Sequence, residues 1–98
     1  MNKSLFQQTS DSNKKPFYLL KITDYDKDGK PCEVREHAYK SSKKCINFMM
    51  MDINDFKENH TVYSQEERFY DDVFKYIRII TNYDIVTVWE ITELYFDD

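Results

Sequence analysis

The chain is poor in the residues that build irregular loops, crosslinks and membrane spans. It has one glycine, two prolines and two cysteines in 98 residues. So little glycine and proline leaves scant material for elaborate loops. Two cysteines, Cys32 and Cys45, do not make a disulfide framework and indicate reduced thiols in a cytosolic protein. No apolar run approaches the ~20 residues of a membrane helix, and the polar start of the chain lacks the apolar segment of a signal peptide.

Motifs of common enzymes are also missing. The sequence contains no G-x-S-x-G, H-E-x-x-H, P-loop or glycine-rich dinucleotide fingerprint. Cys32, His37, Cys45 and His60 could form a zinc set by residue type, but their spacings do not form compact knuckles. Carboxylates are abundant, yet nothing singles out a catalytic pair. We therefore expect a protein that is not an enzyme and that holds no metal and no cofactor.

One motif resembles a calcium loop in its first half. Asp24-Tyr25-Asp26-Lys27-Asp28-Gly29 matches the opening D-x-D-x-D-G of an EF-hand. The match then fails, because Arg35 stands where the loop needs a bidentate glutamate. Aspartate and glycine are also favoured in hairpin turns. We interpret the segment as a polar turn, and cation binding by residues 24–29 stays open.

Length and composition predict one globular domain. The chain is 33% charged and 41% hydrophobic, and aromatic residues, eight of them Tyr, make up 16%. Core filling explains most of these aromatics, although Tyr-rich surfaces also favour binding. Residues 1–15 are polar and without pattern, so we expect a flexible N-terminal arm. Residues 16–98 are then a single α+β domain.

The first part of the domain is predicted to be a hairpin. Apolar residues alternate over 16–26, with Tyr18, Leu20 and Ile22 on one face, and a second strand follows over about 31–40. Asp28-Gly29 between them is a strong turn signal. Residues 45–51 are predicted to be a third strand, with a short helix as the rival. Residues 52–63 are predicted to form a loop with at most one helical turn.

The second part is predicted to contain the main helix. Residues 64–82 begin with an S-x-x-E capping box, and their apolar side chains fall on one helical stripe. Residues 85–96 are β-branched and aromatic and predict a long strand, with a bulge near Glu90 or burial on both faces to explain its imperfect alternation. The expected fold is α+β, a small antiparallel sheet of order β-β-β-α-β with one helix, about 64–82, packed on it.

Charge is divided by position along the chain. Residues 1–48 hold ten basic and six acidic side chains, a net +4, whereas residues 49–98 hold four basic and twelve acidic, a net −8. The predicted helix pairs most of its own charges. Residues 79–98 differ, because they carry five carboxylates and no basic residue. Such a segment predicts an electrostatic contact surface.

The base-free segment supplies the candidate site. We predict that its acidic and aromatic side chains bind a partner with a basic surface: Asp84, Glu90, Glu93, Tyr95, Asp97 and Asp98. The alternative is that this last strand lies beside a lysine-bearing strand of its own sheet, which offsets the charge across the ladder.

The chain is rich in lysine, which fits an AT-rich coding sequence. In this usage, and in its size, acidity and Tyr-rich α+β make-up, it resembles the small acidic inhibitors of phages and mobile elements, such as anti-CRISPR and anti-restriction proteins. No motif carries the resemblance, so it transfers no residues. It implies a non-enzymatic inhibitor in the host cytoplasm that blocks a basic nucleic-acid-binding surface of a CRISPR effector or other defence nuclease. The alternatives are a single-stranded nucleic-acid-binding module, disfavoured by a pI near 5.1, and a self-associating regulatory or structural subunit. No membrane partner is expected.

Overall fold

Five antiparallel strands and one helix make up the part of the chain that the computed structural model describes, residues 14–70, 73–81 and 84–97. In chain order these elements are β1 (Lys14–Tyr25), β2 (Pro31–Tyr39), α1 (Ser42–Asn59), β3 (Val62–Tyr70), β4 (Val73–Thr81) and β5 (Val86–Asp97). The predicted N-terminal arm, 1–15, lies outside the described residues apart from Lys14 and Lys15, which begin β1. The fold is therefore α+β with the order β-β-α-β-β-β, and the predicted order β-β-β-α-β was wrong.

The strands form one sheet of order β2-β1-β5-β4-β3. The two 12-residue strands, β1 and β5, pair along their whole length at its centre, from Lys14 opposite Asp97 to Tyr25 opposite Val86. Strands β2 and β3 form the two edges. Because 12 residues of strand span about 40 Å, the central pair sets the long axis of the molecule, which measures 51 Å.

The core lies between one face of the sheet and α1. Leu20 and Ile22 point to this face, as the alternation in β1 predicted, and they meet Trp89 and Ile91 of β5. The helix contributes three side chains that are fully buried, and β4 contributes two more: Cys45, Met49, Ile53, Ile77 and Ile79. Trp89 is the largest of the fully buried side chains, so it anchors the helix on the sheet.

Helix α1 replaces the predicted strand 45–51 and loop 52–63. Its buried residues recur at four-residue intervals, at Cys45, Met49 and Ile53, which is the spacing of a helix and not of a strand. Ser41 caps it, since its hydroxyl accepts a hydrogen bond from the Lys44 amide. The three consecutive methionines are good helix formers, so the rival interpretation of this segment was the correct one.

Residues 64–82, predicted to be the main helix, instead form most of the hairpin β3–β4. Alternation in β4 buries Ile77, Ile79 and Thr81 on the helix-facing side of the sheet. The apolar residues of this segment fit a 3.6-residue period, whereas Lys75 and Arg78 interrupt a 2-residue alternation, so the pattern alone favours a helix. Their β-branched and aromatic character, together with pairing to β5, decided in favour of strands.

The first hairpin formed as predicted. Gly29 has a φ of +80°, which favours glycine in the turn. The Asp26 carboxylate accepts hydrogen bonds from the amides of Asp28 and Lys30, each at 2.9 Å. Asp26 therefore stabilises the turn locally, whereas the Asp24 carboxylate accepts a bond from Thr87 instead. Across the described residues, no three Asp, Glu, His or Cys side chains are grouped so that they could hold a metal ion.

The pairing of β5 with its neighbours runs without a register shift. The predicted bulge near Glu90 is therefore absent. Burial on both faces explains the imperfect alternation instead, because Val88 on the open face is 6% exposed and Trp89 on the helix face is fully buried.

The molecule is flat and elongated. Its radius of gyration is 16.6 Å, against about 13 Å for a compact domain of 100 residues. The helix covers one face of the sheet, and among the described elements none covers the other. No described helix has the length and apolar content that crossing a bilayer requires.

Candidate functional site

The charges separate along the long axis of the molecule. One end, here called the acidic end, consists of the β1–β2 turn with the strand residues beside it, the C-terminal half of α1 and Asp84 before β5. Its charged residues are eight carboxylates and four bases, a net −4: Asp24, Asp26, Asp28, Glu33, Asp52, Asp55, Glu58 and Asp84 against Lys27, Lys30, Arg35 and Lys57.

The opposite end, here called the lysine end, holds the start of β1, the end of β2 and the first turn of α1. Lys15, Lys40, Lys43 and Lys44 are exposed there. The backbone register also sets Lys14 opposite Asp97. This separation in space does not follow the division of charge along the sequence, because the acidic end takes Asp24, Asp26, Asp28 and Glu33 from the basic first half of the chain.

The dipole of α1 has the same sense as this charge separation. Its N-terminus, the positive end of a helix dipole, lies at the lysine end, and its first turn contains no acidic residue. Its C-terminus, the negative end, lies at the acidic end near Asp55 and Glu58. The peptide dipoles and the side chains therefore reinforce one another.

A cleft of about 520 Å³ opens at the acidic end, between the C-terminus of α1 and the helix-facing side of the sheet. The residues that line it include Asp24, Arg35, Phe56, Asn59, His60 and Thr87. Asp24 reaches the cleft from β1, where the register places it opposite Thr87 of β5. The Thr87 hydroxyl donates to Asp24 Oδ1 at 2.8 Å, which fixes the carboxylate.

A second carboxylate, that of Asp52, borders a smaller hollow that shares Arg35 and Phe56 with the cleft. The indole Nε1–H of Trp89 donates to Asp52 Oδ2 at 2.8 Å, and Arg35 Nη2 lies 3.4 Å from the same oxygen. Four-residue periodicity explains the placement, because Asp52 precedes the buried Ile53 and so lies at the border of the packed face of α1. The Asp52 side chain is 21% exposed, so the hydrogen bond from Trp89 is largely shielded from water.

An aromatic wall closes the cleft on the helix side. The Phe56 and His60 rings are stacked, with centroids 4.0 Å apart and planes 11° apart. Trp89 meets Phe56 edge to face at 5.1 Å. His60 Nδ1 lies 2.9 Å from the Phe56 carbonyl and donates to it, which holds the imidazole at the end of the helix. The cleft thus combines an aromatic wall with one fixed carboxylate, that of Asp24.

The structure divides the residues predicted as a partner site into separate groups. Asp84 lies at the acidic end, with a φ of +60°, and precedes Ile85, which borders the cleft. Glu90 projects from the open face, where its register partner is Lys21. Glu93 and Tyr95 lie at the lysine end. The last two predicted residues are Asp97, whose register partner is Lys14, and Asp98, which lies outside the described residues.

Glu93 makes its contacts within the molecule. Tyr18 donates to Glu93 Oε2 at 2.9 Å and Tyr95 donates to Oε1 at 3.3 Å. The hydrogen bond to Glu93 is the main cause that raises the pKa of the Tyr18 phenol, and repulsion by the Glu93 charge is the main cause that raises the pKa of the Tyr95 phenol. The alternative considered for the base-free strand therefore describes its pairing well, since it lies directly beside the lysine-bearing β1.

Sequence reasoning missed Asp24, Asp52, Phe56 and His60 as members of one site. Asp24 belongs to the segment 24–29, which is predicted to be a polar turn. The other three residues belong to 52–63, which is predicted to be a loop with at most one helical turn. The available signal was the i, i+4 spacing of Asp52, Phe56 and His60, which places them along one side of a helix.

Comparison of the chain with protein families, with curated proteins and with solved structures found no match. Function is therefore argued from the geometry described above.

Proposed function

We propose that the protein is a non-enzymatic binding protein that uses its acidic end to occupy a basic surface of another protein. The observation that carries this proposal is the charge separation along the 51 Å axis, reinforced by the dipole of α1. Complementary potentials of this kind speed association and select partners more than they add affinity. Eight carboxylates concentrated at one end make that end the natural contact surface for a cationic partner.

The resemblance noted from the sequence suggests the biological form of this activity. In that form the partner is a defence nuclease such as a CRISPR effector, and the acidic end blocks its nucleic-acid groove in the host cytoplasm. The net charge of −4 at one end is small beside that of a DNA segment of similar length. We therefore propose local blocking of a groove and not mimicry of a whole duplex.

The decisive experiment compares two variants that change charge equally at different places. The first reverses four exposed carboxylates of the acidic end, Asp28, Asp55, Glu58 and Asp84, to Lys. The second reverses to Lys the other four carboxylates of the site predicted from the sequence, Glu90, Glu93, Asp97 and Asp98; the fifth, Asp84, belongs to the acidic end. Each variant is assayed for inhibition of target-DNA cleavage by a panel of CRISPR and restriction nucleases, at low and at physiological salt.

The expected result is that the acidic-end variant loses inhibition while the second variant retains it. Loss only in the second variant would return the site to the C-terminal strand. Inhibition by the parent chain that neither variant reduces would overturn the electrostatic proposal, as would the absence of any effect of the parent chain across the panel. Circular dichroism checks that both variants are folded, and light scattering on the same samples tests the self-association alternative.

A second candidate function, binding of single-stranded nucleic acid, rests on the lysine end. An apolar hollow of about 370 Å³ lies there, lined by Phe17, Ala38, Tyr39 and Lys40. Aromatic rings beside lysines suit base stacking with phosphate contacts. This function predicts a gel shift with single-stranded RNA or DNA at low salt that is lost when Lys40, Lys43 and Lys44 are changed to Gln. An unchanged shift in that variant would exclude the lysine end.

A further inference from the structure

We infer that the cleft at the acidic end is a pocket for one cationic side chain of the partner, and specifically for the guanidinium of an arginine. The inference rests on the proposed function, because it names the group that a basic partner would insert. The cleft volume of about 520 Å³ falls within the ~300–1,000 Å³ range of ligand pockets.

The polar groups of the cleft are mainly hydrogen-bond acceptors. Asp24 uses Oδ1 for Thr87, and the described residues offer no donor to its Oδ2. Asn59 donates its amide nitrogen to the Asp55 carbonyl, which leaves its Oδ1 as an acceptor. The last turn of α1 adds carbonyl groups that lie beyond the helical hydrogen-bond pattern. A ligand rich in donors therefore fits this cleft better than an anion.

Arg35 is the one full positive charge among the residues that line the cleft, and it is already engaged. Its Nη2 lies 3.4 Å from Asp52 Oδ2. Asp52 and Asp55 border a smaller hollow of about 200 Å³ beside the cleft, together with Arg35 and Phe56. Asp24 and Arg35 balance within the cleft, but the cleft and the hollow together hold three carboxylates and one guanidinium, a net −2. A second cation therefore finds a negative surrounding.

The aromatic wall distinguishes arginine from lysine. The Phe56 and His60 rings lie nearly parallel, 11° apart, at the side of the cleft. A planar guanidinium can stack on a ring while its edge N–H groups reach a carboxylate, whereas an ammonium acts as a point charge. The pairing of a stacked aromatic wall with the Asp24 carboxylate therefore favours arginine.

The experiment titrates the full-length protein with N-acetyl-arginine amide and follows it by ¹H–¹⁵N NMR at low salt. N-acetyl-citrulline amide, which has the same shape without the charge, is the matched control. The Trp89 indole N–H is a single reporter signal, since Trp89 is the one tryptophan and lies against Phe56 and Asp52. We expect the Trp89 indole signal to shift saturably with the arginine compound and more weakly with the corresponding lysine compound. We expect no shift with the citrulline compound.

Two variants with equal charge change locate the binding. Asp24→Asn keeps the bond from Thr87 but removes the charge in the cleft, and we expect it to weaken arginine binding at least tenfold. Asp28→Asn removes one charge from the exposed turn at the same end, and we expect less than a twofold change. Equal shifts with citrulline, or equal loss in both variants, would overturn the pocket.

The two proposals fail separately. If nuclease inhibition depends on the acidic end but Asp24→Asn changes neither inhibition nor arginine binding, the pocket is wrong and the function stands. If arginine binds in the cleft and Asp24→Asn abolishes it, but no basic protein is bound, the pocket stands as a site for free guanidinium compounds. Titration with agmatine tests that second source directly.

Discussion

The first turn of α1 carries charges of the wrong sign for a helix N-terminus, and changing one of them should stabilise the protein. Ser41 caps the helix and accepts from the Lys44 amide over 3.3 Å. Lys44 occupies the third helical position, where a glutamate would complete a capping box by bonding back to the Ser41 amide. The perturbation is therefore Lys44→Glu.

The magnitude follows from two contributions. Removing a cation from the positive end of the dipole and placing an anion there is worth about 0.3–1 kcal/mol for each change at low salt. The bond to the Ser41 amide adds about 0.5 kcal/mol, the lower end of the range for helix caps. The free energy of unfolding should rise by about 1–2.5 kcal/mol, which raises the Tm by about 4 °C or more for a domain of this size.

Lys43→Glu is the matched control, since it makes the same charge change one position earlier, without a capping box. Thermal and urea unfolding followed by circular dichroism, at low salt and at 0.5 M salt, should rank Lys44→Glu above Lys43→Glu and both above the parent chain at low salt. Added salt should reduce the gain in free energy of unfolding over the parent chain more for Lys43→Glu than for Lys44→Glu, because salt screens the dipole interaction but not the capping-box hydrogen bond. A Lys44→Glu protein no more stable than the parent at low salt would refute the reasoning.

Three further predictions concern the core, an ion pair and the thiols. Met49→Ala should lower the free energy of unfolding by about 2–5 kcal/mol in urea titrations, because Met49 is fully buried between α1 and the sheet. The Arg68 and Arg78 guanidiniums lower the pKa of Glu66, so these ion pairs stabilise the fold above the ordinary glutamate pKa, and the stabilisation is lost as pH falls through the lowered pKa. The Tm of the parent should therefore exceed that of Glu66→Gln at neutral pH, and the difference between the two should shrink as the pH is lowered. A difference that does not change with pH would contradict this. A thiol reagent near neutral pH should label the exposed Cys32 in the folded protein and the buried Cys45 only after unfolding, because burial raises the pKa of the Cys45 thiol and shields it.

The first hairpin and the final strand could be predicted because several local signals agree there. Alternating apolar residues, the Asp28-Gly29 turn and β-branched content all favour the structure that formed. The burial of Leu20 and Ile22 follows from the same alternation. In these segments the local preferences and the tertiary packing favour the same secondary structure.

The position of the helix could not be predicted because local signals conflicted. Ser64 and Glu67 form a capping-box sequence, but they lie within β3. The true cap, Ser41, is followed three residues later by Lys44, so the S-x-x-E signature is missing where the helix begins. The capping-box sequence at Ser64 therefore predicted a helix where a strand formed, and the missing signature at Ser41 led to a predicted strand where the helix formed. The four-residue spacing of Cys45, Met49 and Ile53 and the helix propensity of the methionines were the signals for a helix here.

The acidic end could not be predicted from the sequence, because its carboxylates come together only through the order of the strands and the position of the helix. The base-free strand β5 is central, and its backbone register places Glu90 opposite Lys21 of β1 and Asp97 opposite Lys14. Carboxylates scattered among lysines earlier in the sequence instead gather where the turn and the end of α1 meet. No single-sequence pattern encodes that meeting, because it depends on the sheet order.

The lysines at the start of α1 and the carboxylates of the acidic end contribute to the same electrical dipole of the molecule. A helix with lysines in its first turn and carboxylates toward its last gives up stability, about 0.3–1 kcal/mol for each adverse charge, and in exchange lengthens the electrical dipole of the molecule. Natural sequences tolerate broken local rules chiefly where function requires them. A more stable Lys44→Glu protein would show that Lys44 does not serve the stability of the fold. Under the nucleic-acid alternative Lys44 contacts phosphate, and under the proposed function it adds to the potential of the molecule. That potential has its negative pole at the cleft that contains Asp24, Phe56 and His60, where we propose that the partner binds.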